Sequence, residues 1–479
     1  MYLKNKKLIW VFSTVFVIIL SSCGVQNNAS FTATPGQCAD GTTNAPYCMA
    51  IQLSNNSGGQ NYINSTNYAF ENLQISVNSS SNNLNYPVTQ GSALDPNGCI
   101  NSTIKPGKSC TFYVQLTGES VPVGSFSPIN INASYKIDNN LFGGGSSTYS
   151  SSYSFYQKPN LVVTNTNGLV INYSQTGLQS VFSAESSGSV AVNANANDNY
   201  YGFLYLATNS GLFLSGNESF AYNKAESLTN INNITINGKT AYPISGGNIY
   251  SATINPIKNI SWANFATATN NLKTNTAITA LGRVVVASSN NVFTCNSSSS
   301  TGGCAQEGVP LTGINKLAYT VLGASNSGGV TGVQLTGLVV GTSSGLLVES
   351  GVGNSSANQW LPVYVSNNPI VSNIVSMTED DLGNVFAIDS NGAIYKLAFN
   401  GGNTASLQDS LVAGSGAPIA IIYDNAGNVL YVVTDSGNLY GCTNNGTNLD
   451  CSGTPVATNI FTGAAFGLNI ITSLYTGSI

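Results

Sequence analysis

The sequence predicts an all-β protein, a β-sandwich followed by a β-propeller, and three observations predict it. Apolar runs are short, rich in Val, Ile, Tyr and Phe, and bounded by Asn, Ser and Gly. No segment beyond the first residues carries the 3.6-residue apolar period of a helix. From about residue 160 one unit recurs: an apolar strand, a tight polar turn, a second apolar strand. Its turns start at Asn167, Ser210, Gly246, Asn290, Ser344, Asn391 and Ser436, at intervals of 36 to 54 residues. The mean spacing is that of a four-stranded propeller blade.

The chain opens with Lys4, Lys6 and Lys7, then an uncharged apolar run over residues 8–20, then Leu20-Ser21-Ser22-Cys23. The run is short for a membrane span and suits the apolar region of an export signal. The ending resembles the lipobox of bacterial lipoproteins. That resemblance implies removal of the leader (residues 1–23 as signal with lipidation site), acylation of Cys23 and attachment to membrane lipid. Gly24 stands where many enterobacterial lipoproteins of the inner membrane have aspartate, which favours the outer membrane by the same resemblance. An ordinary signal peptide with a chance cysteine and an uncleaved anchor are the alternatives. Residues 24–36 are small, polar and aperiodic, and read as a flexible tether.

Residues 37–158 read as a β-sandwich. Strands are expected over residues 49–53, 73–77, 111–116 and 129–135, with turns at Asn97-Gly98 and Pro106-Gly107. Proline pre-sets φ for the first central position of a type II turn, and glycine accepts the positive φ required next. The stretch Cys99-Ile-Asn-Ser-Thr-Ile-Lys-Pro-Gly-Lys-Ser-Cys110 resembles bacterial immunoglobulin-like modules related to the ASH domain. An unrelated sandwich with one stapled loop is the other reading.

Residues 159–479 read as a seven-bladed propeller. The Asn-Gly and Ser-Gly pairs supply the positive φ of tight hairpin turns. The first unit, at Leu161, lacks a preceding strand, and residues 469–475 look like a spare one; the C-terminal strand is therefore expected to complete the first blade and close the ring, leaving no exposed sheet edge. Six or eight blades stay open, because the 54-residue interval has room for an extra hairpin and the 36-residue interval suits a degraded blade. Gly341-Thr-Ser-Ser-Gly-Leu-Leu-Val and Ala207-Thr-Asn-Ser-Gly-Leu-Phe-Leu resemble the propeller repeat of periplasmic two-component sensors. Only the repeat type carries over, since that family's transmembrane helix and kinase are not found here.

Nine cysteines less Cys23 leave eight, in close pairs: Cys38 with Cys48, Cys99 with Cys110, Cys295 with Cys304, Cys442 with Cys451. An even count and local pairing in an exported chain favour four disulfides, although eight cysteines allow 105 connectivities. Thiolate metal sites are the competing reading, without C-x-x-C spacing to support it.

Chemistry is limited by composition. With no histidine, Ser-His-Asp and Cys-His catalysis are excluded and the commonest zinc ligand is missing. One arginine, Arg283, and a net charge of -5 give no footprint for nucleic acid. No cofactor and no metal are expected. Glu379-Asp380-Asp381 offers oxygen ligands for a hard cation, against the simpler reading of a solvated turn. Asp389 and Asp435 precede two repeat turns and read as turn-capping carboxylates. Trp360, Tyr364, Tyr200 and Tyr201 lie near predicted loops and are candidate ligand contacts, core packing being the other reading. The expected function is a membrane-tethered, non-catalytic binding or assembly module of the bacterial envelope with a protein or glycan partner. The alternatives are a polysaccharide-acting enzyme using carboxylates in the propeller funnel, and a surface adhesin.

Overall fold

The computed structural model describes residues 29–41, 43–57, 68–79, 98–115, 127–139, 145–165, 170–174, 177–182, 192–197, 204–216, 221–224, 228–253, 262–267, 276–280, 283–295, 303–326, 332–351, 359–380, 382–424, 428–458 and 466–475. Every regular element among them is a strand. Cys23 and the whole leader lie outside the described residues.

One three-stranded antiparallel sheet and the first three strands of a six-stranded sheet form the N-terminal part. Their strands are Ala29–Gln37 (β1), Thr43–Asn55 (β2), Glu71–Ser79 (β3), Ser109–Gln115 (β4), Ser127–Asn139 (β5) and Gly145–Asn165 (β6). One sheet has the order β1-β2-β4, the other β3-β5-β6. Inward positions fall at every second residue, as strand geometry requires. Met49, Ile51 and Leu53 from β2, Phe112 and Val114 from β4, and Ile131, Ala133, Tyr135 and Ile137 from β5 meet in one core. Phe70 stacks on Tyr135 at 4.0 Å between ring centres, in the middle of it. The Pro106-Gly107 turn closes through the Lys108 N–H to the Lys105 carbonyl at 3.0 Å, with Gly107 at φ 69°.

Residues 29–36, expected in a flexible tether, are ordered instead. All of β1 pairs with β2, from Ala29 opposite Asn55 to Gln37 opposite Thr43. The sequence signal is weak because β1 is an edge strand. Phe31 and Ala33 face the core while Thr32 and Thr34 face water, so apolar content is low but the alternation is present.

The second part is a set of four-stranded sheets, each in sequential order. After Val170–Ser174 (β7) and Gly177–Phe182 (β8), the first holds Val192–Asn197, Leu204–Thr208, Gly211–Gly216 and Ala221–Lys224 (β9 to β12). The next holds Ile231–Asn237, Thr240–Ser245, Asn248–Thr253 and Ala263–Thr267 (β13 to β16). Then come Thr276–Ala280, Arg283–Ala287, Val292–Cys295 and Cys304–Glu307 (β17 to β20), and Ile314–Tyr319, Gln334–Thr342, Gly345–Gly351 and Gln359–Pro362 (β21 to β24). A small hairpin, Tyr364–Val365 and Asn368–Pro369 (β25, β26), precedes Ile374–Glu379, Val385–Asp389, Ala393–Leu397 and Ala405–Ser410 (β27 to β30). Pro418–Asp424, Val429–Thr434, Leu439–Asn444 and Leu449–Asp450 (β31 to β34) complete the set, and Phe466–Tyr475 (β35) follows.

β35 does not start a new sheet. It pairs with β6 over Tyr156 to Asn165, while β7 pairs with β6 on residues 161–164 and β8 with β7. The leading strands then neighbour one another in a closed cycle: β35, β9, β13, β17, β21, β27, β31 and back to β35. This is a β-propeller arrangement. The 36-residue interval, from Ser210 to Gly246, holds β11 to β14, the second half of one complete four-stranded sheet and the first half of the next. The 54-residue interval holds β19 to β22, with no additional strand among the described residues.

The boundary expected between residues 158 and 159 falls inside a strand. The first half of β6 pairs with β5, as far as Gln157 opposite Ser127. The second half pairs with β35, from Tyr156 opposite Tyr475. Sandwich and propeller are thus joined by unbroken backbone. The β1–β2 hairpin also packs on the propeller: Cys38 and Cys48 share a core with Tyr205, Ala207, Leu212 and Ile234, and Lys239 Nζ lies 3.5 Å from Asp40 Oδ2.

Disulfides join Cys38–Cys48, Cys99–Cys110, Cys295–Cys304 and Cys442–Cys451. The last two tie the outer hairpins of their sheets, Cys295 standing opposite Cys304 across β19 and β20. Replacing both Cys38 and Cys48 by Ala is expected to cost about 2.5–3 kcal/mol, from the chain entropy of a closed loop this short. A lower urea midpoint checks it; an unchanged midpoint contradicts it.

Candidate functional site

The leading strands run the same way round the ring. Asn315 Nδ2 donates to the Ile374 carbonyl at 2.7 Å and Glu379 Oε1 accepts the Tyr319 N–H at 2.5 Å, so β21 and β27 advance together. Ser376 Oγ accepts from Ile421 N–H at 3.2 Å and Thr378 Oγ1 from Tyr423 N–H at 3.3 Å, which sets β27 beside β31 in the same sense. These side chains satisfy edge N–H and carbonyl groups of the neighbouring leading strands. The C-terminal ends of the leading strands therefore share one end of the ring. The sandwich is attached at that end, where Tyr475 at the end of β35 meets Tyr156.

The sequence-predicted positions separate into distinct places. Tyr200, Tyr201 and Asp381 lie outside the described residues. Trp360 on β24 packs against the Leu317–Leu338 core, and its indole N–H donates to the Val309 carbonyl at 3.0 Å. Tyr364 on β25 is fixed by its backbone, whose N–H bonds the Asn403 carbonyl at 2.9 Å. Asp380 spends both carboxylate oxygens on Asn384, at 2.7 Å to the backbone N–H and 2.6 Å to the amide. That makes it the cap of the turn between β27 and β28.

Asp389 is likewise a cap. Oδ1 accepts from the N–H groups of Asn391 and Ala393 at 2.9 Å each, and Oδ2 from the Tyr395 hydroxyl at 3.1 Å. Its counterpart in the next sheet is Thr434, the last residue of β32, rather than Asp435. Thr208 and Thr342 hold the same place, each hydroxyl donating to the carbonyl three residues on. Asp435 has a different job: it accepts the Ala417 N–H at 2.8 Å. The repeat thus needs a short oxygen-bearing side chain at one position, which Thr and Asp both satisfy.

A further cluster was not anticipated from sequence. Val321, Leu382 and Phe399 are 51%, 70% and 45% exposed, at the end of the ring that carries the sandwich. They stand on three loops bound to one another. Asn400 N–H bonds the Val321 carbonyl at 2.9 Å, Phe399 N–H bonds Asn384 Oδ1 at 3.0 Å, and the Thr320 hydroxyl donates to the Gly383 carbonyl. A Cβ on Gly383, whose φ is 78°, would come within 2.7 Å of the Phe399 ring. The only hint in the sequence is Leu382 standing exposed in an otherwise acidic turn.

Glu379 borders this cluster. Burial pushes its carboxyl above the usual range, the Tyr319 N–H opposes that, and the charge of Asp380 adds to it. Burial also holds the Lys316 ammonium, on β21, below the ordinary lysine range.

Two outcomes follow. Asp389→Ala leaves buried donors unpaired and is expected to cost about 2–3 kcal/mol, against under about 1 kcal/mol for Asp435→Ala; equal costs in urea melts would contradict the assignment. A carboxyl whose folded pKa is raised contributes stability at low pH that is lost as pH rises through that pKa. Glu379→Gln is therefore expected to gain melting temperature relative to the parent as pH goes from mildly acidic to neutral, and a pH-independent difference would contradict it.

No family model matches the chain, and no curated protein matches it. Solved structures similar to it include Hsv2 of Kluyveromyces lactis, at 10% identity over 53% of this chain and 75% of that one, with a TM-score of 0.38. The Cps50 (Swd1) β-propeller domain of Myceliophteria thermophila is 10% identical over 58% of this chain and 89% of that one, with a TM-score of 0.40. YCF48 bound to D1 peptide is 9% identical over 58% and 84%, with a TM-score of 0.41. Likeness at this level carries no argument about function.

Proposed function

We propose that this chain is a lipid-anchored module of the bacterial envelope that binds a protein or glycan partner without catalysis of its own. In this reading Cys23 carries the lipid, an immunoglobulin-like sandwich is the mount, and a seven-bladed propeller is the binding body. The sheet orders β1-β2-β4 and β3-β5-β6 are those of strands A-B-E and C-F-G in the immunoglobulin arrangement, which supports the mount. The cycle of leading strands supports the blade count.

The observation that carries the reading is the continuity of β6. Its two halves belong to the two bodies, so the ring cannot swing freely on the sandwich. The β1–β2 turn lies against the ring, so Ala29 is at the opposite end of β1, about 30 Å away for nine residues at ~3.3 Å each. Residues 24–28 span at most about 18 Å when fully extended. Lipid attachment at Cys23 would therefore enter at the far end of the mount and hold the ring off the membrane in a set orientation. A rigid presenting device of this kind suits binding and assembly.

The absence of histidine from the sequence and the dispersal of carboxylates favour a non-catalytic role. Asp380, Asp389, Asp409 and Asp435 each accept backbone N–H groups in separate turns and strands. The test is cell fractionation of a Cys23→Ser variant. Loss of membrane association is expected; unchanged association would overturn the anchor.

A further inference from the structure

Resting on the reading of the propeller as a binding body, we propose that Val321, Leu382, Phe399 and Glu379 form a docking site for a protein segment carrying a basic side chain beside an apolar one. Three apolar side chains are held in water by loops that are cross-bonded to one another, so their exposure belongs to the folded frame. Such a site loses little conformational freedom when it is covered.

Its charge selects the partner. Glu379 is an exposed residue at the edge of the patch, one carboxylate oxygen accepting the Tyr319 N–H, with Asp380 next to it in the chain. The groups around it are Asp380, the first residue of the turn after its strand, the Tyr319 N–H from β21, and, beyond Tyr319, the side chain of Arg283 on β18. A cation arriving at Glu379 relieves the repulsion from Asp380, whereas an anionic surface meets two acids. Complementarity across a small apolar patch therefore points to a basic-apolar segment rather than an acidic one or a bilayer rich in anionic lipid.

Position makes the site available. The sandwich meets the ring near β35, β9 and β13, through Tyr475, Cys38, Cys48 and Lys239. The patch belongs to β21 and β27, on the other side of the same cycle. Among the described residues the chain's own sandwich does not cover it, and under the anchor reading it faces the space between ring and membrane.

The experiment places a photo-crosslinking residue at position 382 of the full lipidated chain in cells. Val371, 72% exposed and preceding β27 at the other end of the ring, is the control position. A discrete adduct is expected from position 382 and not from 371, mapped by mass spectrometry to a segment with Lys or Arg within two residues of an apolar side chain. Glu379→Lys should lower its yield at least ~10-fold, with Glu379→Gln intermediate, and a Lys→Glu change in the captured segment should restore it. Melting temperatures of the variants identify any loss of fold, and Val321→Ser, with the crosslinking residue kept at position 382, serves as a second variant that should also lower capture. Adducts only with lipid or with a second copy of this chain, yields unmoved by Glu379→Lys, equal capture from both positions, or no adduct at position 382 would each overturn the proposal. The Cys23→Ser fractionation reads the anchor separately, so failure of one is distinguishable from failure of the other.

Discussion

The pairing of β35 with β6 is the constraint on which the rest of this structure depends. β6 is 21 residues long and is asked to do two things in sequence. Its first half completes the sandwich sheet against β5, and its second half receives the last strand of the chain. The ladder that closes the ring is therefore built on the strand that enters it. Without β35, the edge of β6 from Tyr156 to Asn165 would be unpaired, and the flanks of β9 and β31 that β35 packs beside would be uncovered. Open edges of this kind invite pairing with other chains.

Within the ring, hydrogen bonding substitutes for charge. With 7% charged residues, the protein relies on Asn, Ser and Thr to satisfy backbone groups where strands of different sheets meet. Asn193 donates to the Ile231 carbonyl at 2.8 Å, Asn315 to that of Ile374, and Ser376 and Thr378 accept from β31. Neutral amides and hydroxyls do this without the desolvation penalty of ions, which fits a core where leading strands approach closely. The same chemistry recurs in the sandwich, where the buried Asn55 amide donates to the carbonyls of Tyr68 and Ile104. A composition that looks uninformative as a charge pattern is thus the material of the joints.

The repeat and the cysteine pairs were legible because their signals are local. A turn such as Asp389-Ser390-Asn391-Gly392 carries its own geometric demand, and neighbouring cysteines can meet across one hairpin. Closure by the C-terminal strand was legible from a count, since one unit lacked a strand and one strand lacked a unit. What stayed hidden depends on long-range pairing. The start of β6, with Ser146, Ser147, Ser150, Ser151 and Ser152, has little apolar content and is held as a strand by β5 opposite it. β1 is likewise a strand because β2 is there to pair with it. The Val321–Leu382–Phe399 cluster draws on three loops up to 78 residues apart, and nothing in their separate sequences brings them together. The equivalence of Asp389 with Thr434 was missed for a related reason, as the two share an oxygen acceptor at one place in the turn but not a residue type.

Hydrogen–deuterium exchange on the full chain tests the shared strand most directly. The account has residues 156–165 and 466–475 protected together, to the same degree as one another, and losing protection together when residues 466–479 are deleted, while β2, β4 and β5 stay protected. Rapid exchange of residues 466–475 in the intact chain, or protection of residues 156–165 that survives the deletion unchanged, would contradict it.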